Sequence, residues 1–238
     1  MLNLRLSVPL SCLLLAAAPL AAREASVRLP EGFGPEAQVH GVQGYSPRRF
    51  QQPLVFGPYS ARIQEGGDTR GGRAAIGRAD LREGERRHAF LLTTVGQPVL
   101  DVECTGQALA LGEEDEDGGW SLDLGALAGP VLECSLHASL DDPGRRLVLM
   151  QRARGLEGHF DAPWGRLRLA SLHGYAGSRV TSPEPTGYVI EGEEGALMVV
   201  DLLNAGRVLL APGLDDRRRA WLAAVAAALL LSPPVEPG

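Results

Sequence analysis

The chain contains no lysine: all 23 of its basic residues are arginine. A Schiff-base amine, a phosphate-loop lysine, a Ser-Lys dyad and the ATP-pairing lysine of kinases each need that side chain, so those chemistries are excluded. Asn and Ile are also scarce, a bias expected of a bacterial genome rich in G and C. Cysteine is sparse too, with only Cys12, Cys104 and Cys134 and no Cys-x-x-Cys spacing for a metal or redox site. No Gly-x-Ser-x-Gly elbow occurs, since Gly44-Tyr45-Ser46-Pro47-Arg48 breaks at its last position. The histidines His40, His88, His137, His159 and His173 include no His-x-x-x-His pair for a helical zinc site. The glycines of Gly66-Gly67-Asp68-Thr69-Arg70-Gly71-Gly72 lack a lysine and a following helix, and read as a hairpin tip rather than a phosphate cradle.

What is present begins with an export signal. Arg5 gives a positive start, Leu10 to Ala18 an apolar core, and Leu20-Ala21-Ala22 a small-residue cleavage site ahead of Arg23-Glu24. The reading is a signal peptide over 1–22, too short to anchor the chain in a bilayer. Lipidation of Cys12 is the alternative, set against by the longer apolar sequence that follows it. A periplasmic or secreted location follows. Removal of residues 1–22, which hold one Arg and no acid, leaves 22 basic against 29 acidic side chains, a net charge of −7. That balance argues against nucleic acid as a partner, because polyanion binding rewards a basic surface.

Hydrophobic content of 45% and charged content of 22% are ordinary globular values. Residues 23–58, interrupted by Pro30, Pro35, Pro47, Pro53 and Pro58, read as an irregular entry segment with short strands. From Tyr59 onward β-type runs recur between turn residues, which predicts a mainly β fold over 59–213: an antiparallel sandwich or partly open barrel. The runs are 59–64, 72–81, 86–95, 99–105, 120–124, 131–140, 145–154, 156–161, 164–172, 187–191, 196–203 and 207–211. These twelve exceed the number of separate strands expected. Asp141-Asp142-Pro143-Gly144, Glu193-Glu194-Gly195 and Asn204-Ala205-Gly206 predict hairpin turns, the last two a three-stranded meander over 187–211.

Cys104 and Cys134 both fall in predicted strands, so a disulfide between them requires those strands to be neighbours or to face each other. Closing a loop of this length contributes roughly 3–4 kcal/mol on the chain-entropy account. The Ala/Leu-rich stretch 214–232 opens on Asp215 and Asp216 and stops at Pro233-Pro234, which predicts a helix followed by a tail over 233–238. Trp221, Leu222, Val225 and Leu229 form one stripe for packing on the sheet. Its apolar part reaches only about 18 Å, so no transmembrane span is expected once the signal is removed.

Three polar groupings are candidates for function. Arg152, Arg154, Arg166 and Arg168, spaced by two within each pair, suit an anionic glycan, lipid headgroup or acidic partner if they share a sheet face. His159 and Asp161 share a strand face, and His173 is the possible third ligand of a metal site. The acidic run Glu113 to Asp117 fails as an EF-hand loop, because Leu124 stands where the bidentate Glu belongs. No cofactor and no metal are expected. The function expected is binding or interaction at the cell envelope without catalysis, with an envelope protein, glycan or anionic ligand as partner. One alternative is a metal-assisted hydrolase using His159 and Asp161. The other is a structural envelope component that associates through the C-terminal helix.

Protein isolated from its native host is expected to begin at or near Arg23 with both remaining sulfurs oxidised. Intact mass with and without reductant checks both points.

Overall fold

The computed structural model describes residues 24–45, 53–76, 78–95, 97–113, 120–139 and 141–232. Residues 1–23, which include Cys12 and the expected signal peptide, residues 114–119 of the acidic run, and residues 233–238 lie outside them. Thirteen strands follow in chain order: β1 (Gln38–Gly41), β2 (Leu54–Phe56), β3 (Tyr59–Ile76), β4 (Ala79–Thr94), β5 (Gln97–Glu113) and β6 (Trp120–Asp123). A single helical turn, α1 (Gly125–Ala128), precedes β7 (Pro130–His137), β8 (Arg145–Arg152), β9 (Gly155–Ala162), β10 (Gly165–Leu172), β11 (Gly187–Gly192), β12 (Gly195–Asp201), β13 (Arg207–Leu210) and the long helix α2 (Asp216–Leu231).

The fold is mainly β, as the turn-bounded runs predict, and its pairings are antiparallel throughout. One sheet runs β1-β13-β12-β11-β10-β9-β8-β7-β5-β4-β3-β2, with β6 paired to the far end of β5. Its two edges meet where Gln43 and Val55 exchange backbone hydrogen bonds of 2.8 and 2.9 Å, so the sheet is nearly closed into a barrel. Side chains alternate strictly on the inner surface: Leu132, Cys134 and Leu136 on β7 point in, as do Leu167 and Leu169 on β10.

Helix α2 does not lie on a face of this sheet. Every residue from Trp221 to Leu231 is buried, and the helix touches β3, β5 and β12 from inside the ring. The predicted stripe of Trp221, Leu222, Val225 and Leu229 is therefore only one part of a surface that is apolar all round. A ring of about eight strands can fill its interior with its own side chains, whereas a wider ring leaves space to be filled. Here the Ala-rich helix fills it, its small side chains letting strand residues such as Phe90, Phe160 and Met198 approach closely. Asp215 caps the helix N-terminus by accepting from the Arg218 N–H at 2.7 Å, and Trp221 packs on Phe160 near this end.

Sequence expectations fail at two other places. The runs 59–64 and 72–81 belong to one hairpin of long strands, with Gly66 to Gly72 inside β3 and the true turn after Ile76. The ladder with β4 shifts register between Ile63 and Glu65 and between Gly66 and Asp68 but then continues to Ile76, so the glycines mark an irregularity inside the strand and not its end. The strand number exceeds twelve because β1 and β2 come from the proline-rich entry segment. That segment also covers part of the outer surface: Val27 and Phe33 pack on Val189, Val199 and Leu209, which explains why β11 to β13 are buried on both faces. Asp201, fully buried, pins it by accepting from the Val27 N–H at 3.3 Å while pairing with Arg207.

The predicted meander is present as β11-β12-β13, and Cys104 and Cys134 stand directly opposite each other on adjacent β5 and β7, bonded with Cα atoms 4.1 Å apart. Among the described residues no helix is long and apolar enough to cross a membrane.

Ala227 lies opposite the predicted stripe. Ala227→Leu is expected to destabilise the enclosed helix by about 1–3 kcal/mol through overpacking. Urea denaturation checks this, since a helix with a solvent-facing side would absorb the larger residue at little cost.

Candidate functional site at the mouth of the barrel

Strands β3, β4 and β5 overrun the ring beyond the point where β7 pairs, and β6 continues the sheet there. The inner positions of β5 from its last pair with β7 into this overrun are Gly106, Ala108 and Ala110, too small to fill the space in front of them. A cavity of about 880 Å³ results, bounded below by Leu229 and Leu230 at the C-terminal end of α2 and on the far side by Leu149, Leu156 and Tyr188. Asp123 and Glu184 add acidic groups to its lining. The size and the mix of apolar wall with a few convergent polar groups are those of a small-molecule site.

On one wall His173 and Tyr188 line the cavity, and Ser171 lies beside them, next to the lining residues Gly155 and Leu156. Ser171 and His173 are two apart at the end of β10, hence on one face, and Ser171 stands directly opposite Tyr188 of β11. The Ser171 hydroxyl lies 2.8 Å from His173 Nε2, and His173 Nδ1 lies 3.0 Å from the Ser182 carbonyl oxygen. A carbonyl oxygen only accepts, so Nδ1 carries the proton, Nε2 is the acceptor, and Ser171 donates to it. The Leu156 N–H donates to the same Ser171 oxygen at 2.8 Å. Gly155, with φ of 128°, passes so close that a Cβ there would stand 2.5 Å from Ser171 Oγ and 2.6 Å from His173 Nε2. Only glycine keeps this arrangement open. Burial, reinforced by Tyr45, pushes the Tyr188 phenol pKa up, so the phenol remains a donor at any ordinary pH.

A second buried titratable group borders the helix end. His88 on β4 lies beside Cys104, stacks on Phe90 and meets Ser232 Oγ at 3.4 Å through Nε2. Burial, and secondarily the Arg86 charge, lower its pKa to about 4, so the folded protein holds it neutral.

The sequence-predicted groups are distributed differently from the cavity. Arg166 and Arg168 do share the outer face, where Arg166 Nε meets Asp161 at 2.7 Å and Arg168 pairs with Glu191. Arg152 stands at the opposite end of the sheet, beside Met150, and Arg154 occupies the β8–β9 turn. The arginines thus form no single patch. His159 and Asp161 face each other at 3.8 Å on the same outer surface, but Arg166 claims the Asp161 carboxylate and holds its pKa below the usual range. His173, the supposed third ligand, lies inside the mouth instead, and no cluster of three potential metal ligands occurs among the described residues. The trio does not assemble because Ala162-Pro163 is followed by a full-length β10, which carries residue 173 to the other end of the barrel.

Ser171 and Tyr188 escape a search for familiar nucleophile motifs, since their partnership comes from strand register. One signal was available. The tripeptide Ser-Leu-His occurs twice, at 135–137 and 171–173, each time with a spacing of two that aligns hydroxyl and imidazole on a strand face.

Because His88 is neutral when folded and takes up a proton near pH 6.5 when unfolded, stability is expected to fall as pH drops from about 6.5 to about 4, by about 3 kcal/mol in all. Thermal melts across that window should show a flatter dependence for His88→Leu than for the parent. Comparison of the chain with protein-family models, curated proteins and solved structures yields no match.

Proposed function

We propose that the protein works outside the cytosol, at the cell envelope, by holding a small apolar or amphipathic molecule in the mouth of its barrel. The cavity above α2 carries this reading. Its volume is created by Gly106, Ala108 and Ala110, and no side chain of the described residues occupies it. Burying about 200 Å² of aliphatic ligand surface there would contribute roughly 5 kcal/mol before the cost of immobilising the ligand. The acidic Asp123 and Glu184 favour a neutral or cationic ligand over an anionic one. The Cys104–Cys134 disulfide fits an oxidising compartment, which is where the leader over 1–22 would deliver the chain.

On the outer face, Glu133, Asp161 and Glu191 engage Arg146, Arg166 and Arg168 respectively, which leaves that surface less suited to an anionic partner. N-phenyl-1-naphthylamine, a neutral dye that brightens in apolar surroundings, tests the cavity. Saturable binding at one site per chain is expected, weakened at least tenfold by Ala108→Trp with melting temperature unchanged. Absence of saturable binding, or indifference to that substitution, overturns the reading.

A further inference from the structure

We infer that Ser171 and His173 form a nucleophile and general base that cleave a neutral carboxylic ester of an aliphatic acid bound in the mouth of the barrel. The inference rests on the cavity being a ligand site and adds chemistry to it. An alcohol nucleophile needs a base within hydrogen-bond reach and a third group that fixes the base. Here the base is 2.8 Å away, and the Ser182 carbonyl, 3.0 Å from Nδ1, fixes the tautomer that leaves Nε2 free to accept. Of the two lone pairs on Ser171 Oγ, one accepts from the Leu156 N–H, and the other is available for attack once the proton moves to His173. Tyr188, opposite Ser171 on the neighbouring strand and lining the cavity, supplies a neutral donor for the carbonyl oxygen as it gains charge.

The electron and proton flow closes without any further reagent except water. Ser171 Oγ bonds to the carbonyl carbon as its proton passes to His173 Nε2. The bond from that carbon to the alcohol oxygen then breaks, and the departing oxygen takes the proton from Nε2. Water next attacks the acyl group on Ser171, giving a proton to His173. The carboxylic acid leaves, and the proton returns to Ser171 Oγ.

The same hydrogen bonds recur at the other Ser-Leu-His, which provides an internal comparison. Ser135 Oγ lies 2.8 Å from His137 Nε2, and Nδ1 lies 3.1 Å from the Asp142 carbonyl oxygen. That pair is on the outer face of β7, and Ser135 borders a polar depression with Glu85, Arg87, Glu103 and Arg146. What distinguishes Ser171 is its surroundings: its partner His173, the opposed Tyr188 and its donor Leu156 all line the apolar cavity, and no arginine is among the described residues of that lining.

Treatment of the full-length protein with an alkyl fluorophosphonate, followed by peptide mass mapping, tests the inference. A single adduct on Ser171 is expected, absent in Ser171→Ala, at least tenfold slower in His173→Gln and unchanged in Ser135→Ala. Hydrolysis of p-nitrophenyl octanoate should follow the same order. Wild-type protein that binds N-phenyl-1-naphthylamine but acquires no adduct at Ser171 overturns the dyad and leaves the binding reading standing. An adduct formed at Ser135 in preference to Ser171 also overturns it. If neither dye nor adduct is found, both readings fall together. The wild-type labelling result requires no variant to fold.

Discussion

The structure depends on a mutual burial: a ring too wide to fill itself and a helix too apolar to face water. From Trp221 to Leu231 the helix offers no polar side chain in any direction, so it can be stable only where protein surrounds it completely. The strands in turn present Leu, Phe, Val and Met inward all the way round, a surface that would collapse or flood without something in the middle. Each element supplies the other's missing solvent. The disulfide between β5 and β7 and the Gln43–Val55 bridge hold the ring at a circumference that matches the helix.

Because the helix stops at Leu231 while β3 to β5 continue past the ring, a gap remains between the helix end and the overrunning sheet. Small residues on β5 keep that gap open, and the end of β10 delivers His173 to its wall with Ser171 beside it. Position of the site therefore follows from a mismatch in length between two elements that otherwise fit. The polar groups on the outer face satisfy one another: Glu133 with Arg146, Asp161 with Arg166, Glu191 with Arg168. Such exposed pairs stabilise little, but they leave the outer surface chemically quiet compared with the mouth.

Much of the scaffold was legible in the sequence because it is encoded locally. Asn204-Ala205-Gly206 adopts the positive φ values its residue types allow, at Asn204 and Gly206, and turns the chain between β12 and β13. Asp215 announces the helix start, and the placement of Cys104 and Cys134 in strands implied adjacent pairing. The helix's location was not legible, because a periodicity argument asks which stripe is apolar and here every stripe is. Likewise the glycines from 66 to 72 suggested a turn, but cross-strand pairing with β4 overrode that local preference. The candidate site was least visible of all. Ser171 meets Tyr188 only through the β10–β11 register, and Gly155 matters only because a third strand passes within contact.

The order in which the chain emerges has a bearing on its biology. The filler of the core is the last regular element among the described residues, and the ring seals through β1 against β13, which joins segments from opposite ends of the sequence, and through the local Gln43–Val55 contact. A partly synthesised chain lacking β13 and α2 has neither its central column nor its β1–β13 seam, so it cannot settle into this native state. Completion of the fold waits for β13 and α2.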